Sequence, residues 1–134
     1  LAEVAHTESV RQRLDIRLAT PSLWSAFCSH LARRGHAVPV EVLNADHFVS
    51  TQPNEQLQNV LVEIYRHDVS SAELCERLVD LDEGLQEWRY RHVKMVERTI
   101  GVKPGTGGSS GVGYLLSTLG QPVFADLWAI RARL

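Results

Sequence analysis

The sequence predicts an all-α protein, and three observations carry that prediction. Apolar residues recur at steps of three and four along most of the chain. No stretch alternates apolar and polar residues for long enough to be a strand. Most apolar runs open on a capping residue or close on glycine. The longest run is Leu74, Leu78, Leu81, Leu85, Trp88, His92 and Met95, which advances by four, three, four, three, four and three residues, the repeat of one helix face.

Taken in order, a first helix is expected from about Val4 to Leu18, with Val10, Leu14 and Leu18 on one face. A second follows, with Thr20 able to cap it, Pro21 suited to its first position and Gly35 supplying the stop. Between them Leu23, Trp24, Phe27, Cys28 and Leu31 form an apolar stripe. Residues 36–53 contain Pro39 and Pro53 and little periodicity, so they read mostly as loop, with room for one helical turn. Asn54 can cap a third helix that aligns Leu57, Val60, Leu61 and Ile64.

Ser70-Ser71-Ala72-Glu73 has the pattern of a capping box and opens the long helix, which runs to Ile100 and stops at Gly101. About thirty residues at 1.5 Å each give roughly 45 Å, enough to cross a domain. Its seam from Leu74 to Met95 is expected to be buried, while Arg77, Glu83, Glu87, Lys94 and Glu97 stay in water.

With 134 residues the chain fits one helical domain, 1–134. The balance of 44% apolar and 22% charged residues suits a globular protein that buries a core without disulfides. A net charge of −2 argues against a nucleic-acid surface. Cys28 and Cys75 have no metal or redox spacing and read as reduced thiols in a cytoplasmic protein. No run of 18 apolar residues exists to span a membrane. The start at Leu1, with no initiator Met and no signal pattern, suggests a piece of a longer chain.

Two features can carry chemistry. His92 lies in register with the leucines, where an imidazole loses hydration and needs partners for both ring nitrogens. It is either a core histidine bonded to a carbonyl or a ligand, since neutral imidazole is the usual proximal donor to haem iron and an apolar wall suits a porphyrin face. Arg89 and Arg91 flank it and can pair with propionates or serve as ordinary surface charge. His6, His30, His36, His47 and His67 have no zinc spacing and read as surface residues.

The second feature is Lys103-Pro104-Gly105-Thr106-Gly107-Gly108-Ser109-Ser110-Gly111-Val112-Gly113, followed by apolar Tyr114 and Leu115. It is either a flexible linker or a loop that brings amides and hydroxyls close to a small polar ligand. The phosphate-loop pattern fails because no Gly-Lys-Ser/Thr closes it. Gly107-Gly108-Ser109-Ser110-Gly111 fits the nucleophile elbow of hydrolases, but that turn needs a strand before it, and a helix precedes it here.

Together, Trp88-Arg89-Tyr90-Arg91-His92-Val93-Lys94-Met95-Val96-Glu97-Arg98-Thr99-Ile100-Gly101 and the loop Lys103–Gly111 closely resemble the C-terminal signature of tryptophan 2,3-dioxygenases. Pro21-Ser22-Leu23-Trp24, Ala32–His36 and Leu78–Asp82 resemble bacterial members as well. The resemblance implies an all-helical tryptophan/indoleamine dioxygenase-like fold with one long haem-proximal helix. It implies haem b with His92 as iron ligand, Trp88, Arg89 and Tyr114 beside the cofactor, and Thr106 holding the amino-acid end of L-tryptophan. The implied reaction inserts dioxygen across the indole C2–C3 bond to give N-formylkynurenine, in a homotetramer.

Leu116 departs from the family's common Arg, and Phe124-Ala125-Asp126-Leu127 from its Phe-Pro-Glu-Leu. Nothing in 1–70 matches the family's distal-pocket motifs, so an N-terminal half is expected as partner, and the exposed proximal seam would favour association with it. The alternatives are a non-catalytic haem-binding or interaction domain and a related haem enzyme for another aromatic substrate. The loop 105–111 is expected to order when ligand binds.

Overall fold

The computed structural model describes residues 2–46, 52–101 and 111–134, with side chains from residue 7 onward, and every regular element among them is helical. The order is α1 (Ala2–Ala19), α2 (Leu23–Arg33), α3 (Val40–Leu43), α4 (Glu55–His67), α5 (Val69–Ile100), α6 (Gly111–Thr118) and α7 (Ala125–Ala129), closed by a 3-10 turn at Arg131–Arg133. The all-α expectation holds. The chain forms two compact units, 1–51 and 52–134.

In the first unit, α1 carries the expected stripe, but Val10, Leu14 and Leu18 are all exposed. The start of α2 departs from the sequence reading. Thr20 does not cap it, because its hydroxyl donates back to the Ile16 carbonyl at 2.8 Å and finishes α1. Ser22 is the cap, in extended conformation, accepting the Ser25 N–H at 3.1 Å, and Pro21 therefore lies before the helix instead of inside it. The end of α2 is a Schellman closure: the His36 N–H reaches the Leu31 carbonyl and the Gly35 N–H reaches that of Ala32. Gly35 adopts φ +92°, the left-handed backbone that favours glycine and stops the helix. Trp24, Phe27, Cys28 and Leu31 are buried as a stripe, whereas Leu23 is exposed. The single turn allowed within 36–53 is α3, which packs against α2.

The second unit is built on α4 and α5, an antiparallel pair joined through one residue. Asp68 donates its N–H to the Ile64 carbonyl, closing α4, while its carboxylate accepts the Ser71 N–H at 3.1 Å and hydroxyl at 2.7 Å, opening α5. The expected Ser70–Glu73 box is thus replaced by Asp68 with Ser71. A carboxylate placed two residues earlier satisfies the free amides first and starts the helix at Val69. Asn54 caps α4 as expected, accepting the Leu57 N–H at 2.8 Å. Gly101, at φ +61°, ends α5. Its 32 residues span roughly 48 Å.

The seam of α5 is not the one that hydropathy picks out. Of Leu74, Leu78, Leu81, Leu85, Trp88, His92 and Met95, only Leu78 is buried; Leu85 and His92 are half-buried and the others exposed. The face that packs against α4 and α7 carries Ser71, Cys75, Leu78, Val79 and Asp82. Small and polar residues serve there because each hydroxyl or carboxylate finds a partner, which a hydropathy count cannot register. Leu57, Leu61, Ile64, Leu127 and Ile130 complete this core, each at most 1% exposed and each contributing about 1.5–3 kcal/mol by its burial. Both cysteines are buried and outside any disulfide, and burial pushes the Cys75 thiol up to about 12, so it stays protonated and unreactive.

Candidate functional site

On the second half of α5 the apolar stripe lies open. Trp88 is 60% exposed and Met95 55%, and His92 sits between them, half-buried. One helical turn separates Trp88 from His92, and their rings stack in parallel, with centroids 5.0 Å apart and planes within 6°. The indole therefore covers one face of the imidazole and limits its rotation. Among the described residues neither ring nitrogen of His92 makes a hydrogen bond. Nor does any group of three His, Cys, Asp or Glu among them lie close enough to hold a metal ion. Such a lone imidazole in an apolar setting suits a metal that arrives with its other ligands already attached.

Around it the charged residues are distributed unevenly. Arg91 pairs with Glu87 at 2.6 Å in water, and Lys94 with Glu97 at 3.0 Å. Such exposed pairs stabilise the helix little. A cavity of about 510 Å³ opens beside them, lined among the described residues by Tyr90, Arg91, Lys94, Met95, Arg98 and Thr99. Arg89 faces elsewhere. Its Nη1 donates to the Gln121 carbonyl at 2.8 Å and approaches that of Thr118 at 3.5 Å, while Nε and Nη2 make no hydrogen bond among the described residues.

Tyr114, 67% exposed, stands on α6, which packs against α5 with Val112 buried. Leu116, the departure from the resembled pattern, is exposed on the same helix. Thr106, the glycine run 105–110 and the expected ordering of that loop lie outside the described residues. So does most of the Gly107–Gly111 elbow pattern, and no strand precedes it among the described residues.

Sequence reasoning missed Asp82. Fully buried, its carboxylate accepts the N–H of Val123 at 3.0 Å and of Phe124 at 2.9 Å, the Trp128 indole N–H at 2.9 Å and the Gln86 amide at 3.3 Å. The only hint in the sequence was a carboxylate one turn beyond Leu78 on the covered face. Burial alone would raise its pKa, but the hydrogen bonds from Phe124, Val123, Trp128 and Gln86 outweigh that and hold it below the usual carboxylate range.

Asp82→Asn, which turns amide hydrogens toward those donors, is expected to destabilise the fold by about 3 kcal/mol near neutrality. A depressed folded pKa means that the wild-type contribution is present above the unfolded value of about 4 and is lost as pH falls through the folded one. The gap between wild type and variant in urea melts should therefore shrink from pH 7 to pH 3. Equal gaps at both pH values would contradict it.

Comparison with known proteins adds to this geometry. The family described as tryptophan 2,3-dioxygenase matches residues 19–134. A tryptophan 2,3-dioxygenase of Herpetosiphon aurantiacus is 54% identical over 123 residues, covering 92% of this chain and 47% of the relative. One of Anaeromyxobacter dehalogenans is 56% identical over 122 residues, covering 91% and 46%. One of Caulobacter vibrioides is 41% identical over 134 residues, covering 96% and 51%. The chain thus spans about half the length of the curated relatives it matches.

Proposed function

The chain belongs to the tryptophan 2,3-dioxygenase family, and from that premise we propose that it supplies the haem-proximal part of an enzyme that opens the indole ring of L-tryptophan to N-formylkynurenine. The observation that carries this reading is His92: half-buried, stacked on Trp88, and unbonded at both nitrogens among the described residues. These features fit haem b, which needs a nitrogen donor and a flat apolar wall. When bound, haem supplies the redox-active iron on which dioxygen is activated.

His92 would hold the iron through an imidazole nitrogen. Trp88 fixes the plane of that ring by stacking, and the exposed stripe around it provides an apolar surface on which the cofactor would rest. Arg89 has Nε and Nη2 to offer a propionate while Nη1 holds its carbonyls. Tyr114 projects from α6 as a further wall. Thr106 is the proposed contact to the amino-acid end of the substrate, on the strength of the loop's sequence alone.

The remaining half of the relatives' length would supply the distal side, and the open stripe of α5 suits its docking and assembly into a tetramer. Cytoplasmic location accords with two thiols outside any disulfide, and no helix among the described residues is long and apolar enough to cross a membrane.

The test is a haem titration of the chain followed by absorbance, with L-tryptophan added to the full-length enzyme. A His92-dependent haem spectrum that tryptophan perturbs is expected; a chain that takes up no haem would count against the reading. Thr106→Ala should weaken tryptophan binding by about 1 kcal/mol, close to fivefold, the scale of one hydrogen bond. Unchanged affinity would remove Thr106 from the site.

A further inference from the structure

Asp82 and Arg89 stand seven residues apart on α5, two turns along one face. Both reach the segment that joins α6 to α7. Asp82 takes the N–H groups of Val123 and Phe124 and the indole of Trp128, and Arg89 gives Nη1 to the carbonyls of Gln121 and Thr118. An anion therefore holds the amides of this segment and a cation its carbonyls, each by charge-assisted bonds.

Among the described residues α6 packs on α5 through few buried side chains. Of its eight residues only Val112 is buried, and the Ser117 and Thr118 hydroxyls are bonded within the helix, to the carbonyls of Tyr114 and Leu115. Thr118, its last residue, is the one Arg89 approaches, and Arg89 lies between Trp88 and His92 in sequence.

We infer that Asp82 and Arg89 are positioning residues, a clamp that holds α6 beside the stretch of α5 carrying Trp88 and His92, so that haem affinity depends on a carboxylate that does not touch the cofactor. Ten residues, about 15 Å of helix, separate Asp82 from His92. The clamp rests on the haem-proximal reading of His92. Loss of the carboxylate frees the 118–124 segment and lets α6 leave α5, taking with it the Tyr114 wall, without altering His92 or Trp88.

The experiment pairs amide hydrogen exchange with haem titration on the 134-residue chain, for wild type, Asp82→Asn and the milder Trp128→Phe, which removes one donor and keeps an aromatic ring. Exchange across Val112–Thr118 is expected to rise about tenfold or more beyond any rise across Leu57–Ile64 in α4, the mark of local opening on top of the global loss. Haem affinity should fall in step by about tenfold, the scale of a supporting group behind a metal ligand. Exchange that rises equally in α4 and α6 would reduce Asp82 to a global stabiliser and overturn the inference. Haem affinity unchanged in both variants, with wild type binding normally, would overturn the clamp alone. A wild-type chain that binds no haem would overturn the reading of His92 and the clamp with it.

Discussion

Replacing His92 with alanine is expected to weaken haem binding more than about 100-fold, since groups merely supporting a metal ligand are already worth 10–100-fold. Among the described residues no other histidine stands on α5, and no cluster of His, Cys, Asp or Glu offers a substitute donor. The apolar stripe would still attract a porphyrin, so weak association without an axial nitrogen should persist, with an absorbance band resembling that of haem in detergent. Trp88→Ala is the companion: it keeps the ligand but releases the ring it stacks upon, and the loss should be clearly smaller. Titration of haem into the two variants, followed in the Soret region, orders these effects. His92→Ala protein that binds as tightly as wild type, with the same spectrum, would place the ligand elsewhere.

The second large effect is on turnover. The 134-residue chain, loaded with haem and reduced in air, is expected to form no measurable N-formylkynurenine, whereas the full-length protein is expected to form it. The chain spans about half the length of its relatives, and on the reading proposed above its residues supply the proximal side alone. Holding substrate in a near-attack position contributes as much as 7–11 kcal/mol to rate acceleration, and a one-sided site cannot supply that. Trp88 and Met95 stand in water at 60% and 55% exposure, so solvent reaches the cofactor face as well. The check is an absorbance assay for the product with the chain alone and with the other half added. Sustained turnover by the chain alone, at the full-length rate, would show that a distal pocket lies within it.

The helical spacing of Trp88 and His92 was more legible in the sequence than the packing around them. The step from Trp88 to His92 is one helical turn, so their stacking follows from helix geometry, and Gly35 and Gly101 end their helices where the pattern placed them. Caps were misread where two oxygen-bearing residues competed. Ser22 displaced Thr20, and Asp68 displaced Ser70, because the choice depends on which side chain the local backbone brings to the free amides of the first turn.

The covered face of α5 was misread for a different reason. Ser71, Cys75 and Asp82 look unsuited to a core until their partners are known, and those of Asp82 lie 41 to 46 residues away, apart from Gln86. Arg89 illustrates the same limit, since carbonyls 29 and 32 residues further on leave no trace in local pattern. The leucine stripe looked like core because hydropathy reports what avoids water, not what covers it. Its exposure here is what a face kept for a cofactor and a further polypeptide would show.

The most direct measurement is chemical rescue at His92. His92→Gly leaves a gap of imidazole size, and added imidazole can then enter as a free ligand. If the side chain at position 92 holds the iron, the variant should lose the wild-type haem spectrum and regain it in proportion to imidazole concentration, saturating at millimolar levels (about 4 kcal/mol of binding). A spectrum already identical to wild type without imidazole, or one that imidazole leaves unchanged, would contradict the assignment on which this account of the chain is built.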